Sequence, residues 1–307
     1  MKTLTLVTGG DGLVAHALKS VKSEDLVFVN RNDANLENYA ETLNLLKRIQ
    51  PTRIIHLAAL VGGVQANMKS PSDFFTTNMK INLNVLEAAR VSKVERLVSL
   101  ISTCVFPEAG PYPLKIDSLH SGPPHHSNFG YAYAKRMLHV QTLAYQNQYQ
   151  LPYFNLIPAS IYGPGDNWNM DNGHVIPSLI HRAHLARERD ENLIVWGNGE
   201  ALREFIYSKD VASLILWSLE NYFENEPLFL SGIGEVSIAK IADLISTKFK
   251  IEDRLVFDNT KPSGQFRKPS DSSKIATLHR NFEFTPIEDG ISSTIEWFLD
   301  NYPTVRF

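Results

Sequence analysis

Apolar runs and amphipathic segments alternate along the first half of the chain. Five runs are apolar at nearly every position, as expected of strands covered on both faces of a sheet. They span residues 3–8, 25–30, 53–57, 96–101 and 153–157. Segments with helical spacing separate them, from about residue 13 and over residues 36–50, 72–91 and 129–149. This alternation predicts an α/β protein with a Rossmann-like, doubly wound parallel sheet, whose ligands bind at the carboxyl ends of the strands.

The second half of the chain has a looser pattern. Residues 162–173 are rich in Gly, Pro and Asn and indicate a loop. A strand is predicted over residues 192–196, and four helices over 175–187, 208–222, 237–249 and 291–301. Ser208 is the expected N-cap of its helix. We expect a Rossmann domain made of residues 1–162 and about 203–230, a smaller C-terminal lobe made of residues 163–202 and 231–307, and a cleft between them.

Composition narrows the range of partners. A net charge of −3 over 307 residues provides no long-range field for nucleic acid or for an anionic membrane surface. No apolar run approaches the roughly 18 residues of a transmembrane helix. Cys104 is the single cysteine, so no internal disulfide can form, and we expect a reducing, cytoplasmic location. Phosphate groups must then be recognised by a few well-placed cations.

A glycine-rich turn follows the first predicted strand and opens a helix. Its sequence is Gly9-Gly10-Asp11-Gly12-Leu13-Val14-Ala15. Glycines at these positions allow a sharp turn and let backbone N–H groups approach a pyrophosphate at the helix N-terminus. Ala15 stands where the pattern prefers a third glycine. The strand–turn–helix context predicts a dinucleotide site that includes all seven residues.

The end of the second strand distinguishes NADP from NAD. An acidic residue there would bind a ribose 2′-hydroxyl, whereas an arginine suits a 2′-phosphate. This chain has Arg31 between Asn30 and Asn32, which predicts NADP(H). Asp33 lies close by and keeps NAD open as an alternative.

Other strand ends are expected to contact the cofactor too. The third strand ends in small residues that allow a close approach. The candidate contacts at the ends of the third, fourth and fifth strands are Leu57, Ala58, Ala59, Leu100, Ile101, Pro158, Ala159, Ser160 and Ile161.

Tyr131 and Lys135 carry the strongest catalytic signal. They are four residues apart in a predicted helix and therefore share one face. A neighbouring ammonium lowers the pKa of a phenol, so we expect Tyr131 to act as an acid–base group and Lys135 to hold the nicotinamide ribose. Ser102, at the end of the fourth strand, can bind a substrate oxygen. A glycine-rich turn, a strand-end serine and Tyr-x-x-x-Lys in this order resemble the short-chain dehydrogenase/reductases.

Longer segments resemble one branch of these enzymes, the GDP-L-fucose synthases, nearly from end to end. The segments are residues 100–107, 122–131, 163–168, 173–177, 195–197, 203–207 and 261–268. The resemblance implies that GDP-4-keto-6-deoxy-D-mannose is converted into GDP-L-fucose, by epimerisation at C3 and C5 and reduction at C4 with NADPH. It also implies a homodimer, formed through the helices over residues 72–91 and 129–149.

The resemblance also implies further site residues. Cys104 and His174 become the acid and base of the epimerisation, with the order between them open, and His174 a further cofactor contact. Cys104 is two residues past Ser102, so both side chains point the same way if the strand continues. Arg182, Arg203 and Lys268 are the expected pyrophosphate or nucleotide contacts, and Trp196 is expected either to stack on the substrate or to pack in the core.

Two positions depart from the family pattern. Pro158-Ala159-Ser160 replaces Pro-Thr-Asn, which affects the amide contacts of the cofactor, and Ser263 replaces an aspartate, which affects the guanine or ribose contact. A nucleotide-sugar 4-epimerase or 4,6-dehydratase with tightly bound NAD is the alternative enzyme, and Arg31 argues against it. A cofactor-sensing protein without turnover is the alternative from another class, and the presence of both Tyr131 and Lys135 argues against that.

Overall fold

A computed structural model of the chain describes residues 3–21, 25–260 and 265–307. The large sheet contains β1 (Thr5–Thr8), β2 (Leu26–Val29), β3 (Arg53–His56), β4 (Arg96–Leu100), β5 (Tyr153–Pro158) and β9 (Leu228–Leu230). The shorter strands outside it are β6 (Ser160–Tyr162), β7 (Leu193–Trp196), β8 (Leu202–Tyr207), β10 (Glu235–Ser237) and β11 (Leu255–Asp258).

Ten α-helices connect the strands of the described ranges. They are α1 (Leu13–Val21), α2 (Tyr39–Ile49), α3 (Val64–Lys69), α4 (Pro71–Val91), α5 (Phe129–Tyr149), α6 (Val175–Arg189), α7 (Ser208–Asn221), α8 (Ile238–Phe249), α9 (Ser273–Leu278) and α10 (Ile287–Asn301). Within those ranges, none has the length and apolar character needed to cross a membrane.

The six strands of the large sheet run parallel in the order β2-β1-β3-β4-β5-β9. Strand order reverses between β1 and β3, and ligands of doubly wound sheets bind outside the carboxyl ends at such a point. The predicted doubly wound fold is confirmed. Two apolar clusters cover the sheet, one on each face, because strands such as β1 and β5 are buried throughout.

A third apolar cluster lies outside the large sheet. It joins α6, α8 and α10 to the small sheets β10-β8-β6 and β11-β7, and it includes the fully buried Trp168. This separate core supports the division into a Rossmann domain and a smaller lobe. Helix α9, however, packs on the core of the large sheet through Ile275, so the boundaries drawn from the sequence stay a prediction.

Two helix starts differ from the prediction. Ser208 is the first residue of α7 rather than its N-cap. Its hydroxyl is buried against the backbone of Gly163, where a Cβ on residue 163 would lie 2.3 Å from the Ser208 Oγ. Helix α10 begins four residues before Ile291 because Gly290 does not interrupt it. The Tyr162 hydroxyl occupies the space beside Gly290.

Candidate active site

A cleft of about 1510 Å³ lies at the carboxyl ends of the parallel strands, facing α6, β7 and β8. Every predicted site residue except Gly10 lines it. On the side of the large sheet these are Gly9, Asp11, Gly12, Leu13, Val14, Ala15, Arg31, Leu57, Ala58, Ala59, Leu100, Ile101, Ser102, Cys104, Tyr131, Lys135, Pro158, Ala159, Ser160 and Ile161. On the opposite side they are His174, Arg182, Trp196, Arg203 and Lys268. Ser263 lies outside the described residues.

Gly10 lies behind the cleft, against β2. Its N–H donates to the Val29 carbonyl over 2.8 Å, and a Cβ would lie 3.1 Å from that of Phe28. A glycine is needed here for close packing of the turn on the strand.

The glycine-rich turn has the geometry that a dinucleotide needs. Gly9 has a φ of +73°, and a Cβ there would lie 2.9 Å from the Ala58 nitrogen, so only glycine fits without strain. The Thr8 hydroxyl accepts the N–H groups of Leu57 and Ala58 at 3.1 Å each, which ties the ends of β1 and β3 together. The N-terminus of α1 then faces an open cleft, as a pyrophosphate site requires.

Arg31 lies exposed at the rim of the cleft, and no carboxylate of the described ranges pairs with it. Asp33 is occupied instead, because its Oδ2 accepts the Asn30 N–H over 2.8 Å. Asn30 in turn accepts the Asn32 N–H over 2.9 Å. Asp33, the residue that kept NAD possible as the cofactor, therefore stabilises the turn over residues 30–33. The guanidinium of Arg31, unpaired within the described ranges, favours a 2′-phosphate.

Tyr131 and Lys135 share one face of α5, as predicted, with the Lys135 ammonium 5.9 Å from the centre of the Tyr131 ring. Burial and the nearby Cys104 raise the pKa of Tyr131 above its usual range. The expected lowering of this pKa by Lys135 is therefore wrong for the chain by itself. Burial also lowers the pKa of Lys135 to about 8. Its ammonium donates to the Leu100 carbonyl over 2.9 Å. The phenol is consequently held in its protonated form.

Ser102 and Cys104 lie in a turn rather than on an extended strand. Ile101 makes the last sheet hydrogen bond, to Leu156, and residues Thr103–Val105 form a short 3-10 helix. Ser102 caps this helix by accepting the Cys104 N–H over 3.3 Å. The strand therefore does not continue to Cys104, yet both side chains line the cleft.

The surroundings of Cys104 favour a thiolate. Burial alone would raise its pKa, but the Lys268 ammonium, hydrogen bonds from Ser102 and Asn128, and the charge of His174 together lower it. Sequence reasoning missed Asn128. It lies three residues before Tyr131, within residues 122–131, a segment that resembles the GDP-L-fucose synthases. This resemblance could have indicated it.

His174 has the opposite tendency. Burial acts to lower its pKa, but the Asp166 carboxylate, whose Oδ1 lies 3.4 Å from Nδ1, and then Cys104 outweigh it and raise the pKa. Asp166 is buried, and its second oxygen has no hydrogen-bond partner in the described structure. The sequence analysis also missed Asp166, although it lies within residues 163–168, another segment that resembles the GDP-L-fucose synthases. These shifts favour a Cys104 thiolate facing a His174 imidazolium.

Positive charge lines the far end of the cleft. No carboxylate of the described ranges forms an ion pair with Arg203 or Lys268, which leaves both cations available to an anion. The Arg182 guanidinium lies 4.9 Å above the Trp196 ring and donates to the Met170 carbonyl over 2.8 Å. Trp196 is thus half-exposed in the cleft and stacked on one face by a cation, not packed in the core.

A buried carboxylate, Glu204, binds Ser270, two residues past Lys268. Glu204 accepts hydrogen bonds from the backbone N–H of Ser270, over 3.0 Å, and from its hydroxyl. The neighbouring Arg267 pairs with Glu235. Glu204 lies in a quoted segment, but nothing in its sequence context indicated this role.

Comparison with known proteins places these features in one family. The NAD dependent epimerase/dehydratase family matches residues 5–229, most of the chain. The chain belongs to this family.

Two relatives match this chain over almost its whole length. One is the GDP-L-fucose synthase of Dictyostelium discoideum, 43% identical over 99% of this chain and 98% of the relative. The other is the probable GDP-L-fucose synthase of Drosophila melanogaster, 40% identical over 98% of each.

A solved structure of this epimerase/dehydratase type has the same fold along its whole length. It is the GDP-L-fucose synthetase of Naegleria fowleri bound to NADP, with a TM-score of 0.94, 35% identity, and coverage of 100% of this chain and 97% of the other.

Proposed function

We propose that this enzyme converts GDP-4-keto-6-deoxy-D-mannose into GDP-L-fucose, using NADPH. One observation carries the proposal: an acid–base pair, Cys104 and His174, shares a cleft with the Ser102, Tyr131 and Lys135 group of a ketone reductase. A 4-epimerase or a 4,6-dehydratase has no need of the first pair. The names of the relatives support the same substrate.

Epimerisation uses the opposed charges of Cys104 and His174. The C4 ketone acidifies the protons on C3 and C5. Cys104, as thiolate, removes one proton, and the enolate oxygen accepts hydrogen bonds from Ser102 and Tyr131. His174, as imidazolium, returns a proton to the other face of the carbon. Each inversion leaves a thiol and a neutral imidazole, so solvent must reset both groups before the second inversion.

Reduction uses Tyr131. NADPH, when bound, supplies a hydride to C4. The Tyr131 phenol, protonated before the step, donates its proton to the developing alkoxide, and the Lys135 ammonium then stabilises the phenolate. The glycine-rich turn and Arg31 would hold the pyrophosphate and the 2′-phosphate of this cofactor.

The GDP portion belongs at the cationic end of the cleft. Arg203 and Lys268 suit its pyrophosphate, since a guanidinium can bind phosphate oxygens in pairs. Arg182 and Trp196 suit the nucleoside.

The decisive test incubates the protein with the keto sugar and NADPH and identifies the product by NMR. GDP-L-fucose is expected. Recovery of a 4-epimer at constant NADPH, or retention of NAD through dialysis, would contradict the proposal.

Cys104→Ser provides an internal test of the roles. Exchange of the C3 and C5 protons in D₂O should fall roughly 100- to 10,000-fold, the usual contribution of a general base. NADPH binding should stay unchanged. Full turnover in this variant would refute the role of Cys104.

We also infer a cytoplasmic homodimer. A catalytic thiol must stay reduced, which fits the cytoplasm. Helices α4 and α5 expose six large apolar side chains, an unusual amount for two neighbouring helices that face water. They are Phe75, Leu83, Val91, Phe129, Val140 and Tyr149.

A further inference from the structure

The phosphate-binding turn contains a residue of unfavourable charge. Asp11 lies between Gly10 and Gly12, is exposed and lines the cleft, so it adds a negative charge to the turn that a dianionic pyrophosphate would approach. The partial positive charge at the N-terminus of α1 is only about half an elementary charge. The turn therefore needs a further cation.

Arg306 supplies a cation at this turn from the far end of the sequence. Its Nη1 donates to the Asp11 carbonyl over 3.2 Å, and its side chain lines the cleft. No carboxylate of the described residues pairs with it. A guanidinium has five N–H donors, so most of them stay free for a ligand.

The backbone on both sides of Arg306 is anchored. The Arg306 carbonyl accepts the N–H of the fully buried Trp168 over 2.9 Å, and Val305 is buried in the core of the smaller lobe. The Phe307 ring packs against His181 at 5.4 Å between ring centres. The backbone of Arg306 is thus held at a defined position, which lowers the entropic cost of presenting its guanidinium to a ligand.

Other nearby cations do not serve the same purpose. The Lys19 ammonium donates to the Gly10 carbonyl over 2.7 Å, on the side of the turn that faces β2. Burial, Lys19 and Arg306 lower the pKa of His16, which disfavours a charged imidazole at this position.

We propose that Arg306 binds the pyrophosphate of the dinucleotide cofactor and offsets the charge of Asp11, so that the smaller lobe contributes directly to the cofactor site. The inference rests on the proposed dinucleotide cofactor and adds a contact from outside the Rossmann domain. Arg306 recognises the part common to NAD and NADP, whereas Arg31 recognises the 2′-phosphate.

The test compares Arg306→Gln with Arg31→Gln by calorimetric binding to the free enzyme. Loss of a charged hydrogen bond costs roughly tenfold in affinity. Arg306→Gln should weaken NADPH and NADH by about this factor and leave 2′-AMP, which lacks the pyrophosphate, unchanged. Arg31→Gln should weaken NADPH and 2′-AMP but not NADH. Arg280→Gln, which removes an exposed arginine outside the cleft, is the matched control and should change nothing.

Two outcomes would overturn the inference. Unchanged NADPH binding in Arg306→Gln would show that no contact exists. An equal loss of NADPH and 2′-AMP would show that Arg306 only holds the turn together. Neither result depends on the sugar substrate. The proposed reaction can therefore be wrong while the Arg306 contact is right, and the contact can be wrong while the reaction is right.

Discussion

Tyr131 lies in surroundings that keep its phenol neutral until the reaction needs its proton. Burial opposes the phenolate, and a negative Cys104 opposes it further. A proton donor must be protonated before hydride transfer, so this raised pKa suits reduction of a ketone better than oxidation of an alcohol. Lys135, whose pKa burial lowers to about 8, is still mostly charged at neutral pH and can stabilise the phenolate afterwards.

Replacing Tyr131 by Phe separates the two halves of the reaction. Steady-state NADPH oxidation should fall roughly 100- to 10,000-fold, because the alkoxide loses its proton donor. Deuterium exchange at C3 and C5 should fall less, since Cys104 and His174 exchange those protons. Tyr133→Phe is the matched control on the same helix and should keep full activity. Equal losses of both steps in Tyr131→Phe would contradict the assignment.

The pH profile should report the Cys104–His174 pair. Activity requires a thiolate, which is lost as pH falls, and an imidazolium, which is lost as pH rises, so kcat/KM for exchange should be bell-shaped. The two apparent pKa values belong to the pair as a whole. Asp166→Asn removes the carboxylate that raises the pKa of His174, so the alkaline limb should move to lower pH.

NMR titration of the His174 ring provides a direct check on that shift. Asp117→Asn, in which an exposed carboxylate is replaced, should leave the profile unchanged. An unmoved alkaline limb in Asp166→Asn would exclude Asp166 as the positioning residue.

Sequence alone could identify the site residues whose relative positions follow from their spacing along one helix or from their place beside one strand. Tyr131 and Lys135 share a helical face, and the glycines of the turn adjoin a strand, so spacing was sufficient. The partners of His174 and Cys104 could not be found in this way. Asp166 contacts His174 across a loop of irregular backbone, and the effect of Lys268 on Cys104 joins segments more than 160 residues apart. Such contacts follow from tertiary packing, which no periodicity encodes.

At the scale of elements, strand β8 connects the fold to the substrate site. Arg203 faces the cleft, and its neighbour Glu204 points the other way, as alternate residues of a strand do. Glu204 holds Ser270 and thereby the segment that carries Lys268. One strand thus contributes one proposed phosphate contact and positions another.

Replacing Glu204 by Gln should loosen this segment. Both Ser270 hydrogen bonds go to one Glu204 oxygen, Oε2, and a neutral amide oxygen accepts them more weakly than a carboxylate does, at a cost of about 1–3 kcal/mol. If about 1.4 kcal/mol of this appears in binding, affinity for GDP falls roughly tenfold. NADPH affinity should not change. Glu191→Gln, at an exposed carboxylate, is the control, and unaltered GDP binding in Glu204→Gln would contradict the positioning role.

The elements that sequence predicted well are strands β1 to β5 of the large sheet and the longer helices beside them, where apolar runs and helical periods repeat. The short strands β6, β8, β9, β10 and β11 were not predicted. Three to six residues give too little periodicity. These strands form by pairing with other strands: β6 and β10 with β8, β11 with β7, and β9 with β5. The predicted start of α10 at Ile291 was likewise four residues late, because the helix runs through Gly290, beside which the Tyr162 hydroxyl packs.

At the scale of the molecule, the cleft is assembled within one chain. The Rossmann side provides the turn, Ser102 and Tyr131, and the opposite side provides His174 and the cationic end. All of these groups belong to the described residues of a single chain. A homodimer formed through α4 and α5 would therefore affect stability and solubility more than chemistry.

Charged residues on the exposed face of α4 and α5 should separate the dimer. Leu83 and Val140 are 48% and 41% exposed, and the Gln141 amide donates to the Leu83 carbonyl over 3.4 Å, so the two positions lie close together. Leu83→Glu with Val140→Glu places two carboxylates in each half of the contact. Burying them would cost several kcal/mol, which is enough to favour monomers at micromolar concentration.

Sedimentation equilibrium measures the outcome, with Leu278→Glu, at an exposed apolar residue on α9, as the control. The double variant should be a monomer that binds NADPH with unchanged affinity, because the whole cofactor site belongs to one chain. The control should stay dimeric. A monomeric wild-type protein, or a dimer that survives both carboxylates, would remove α4 and α5 as the interface. Loss of NADPH binding on dissociation would instead show that the partner supports the site across these helices.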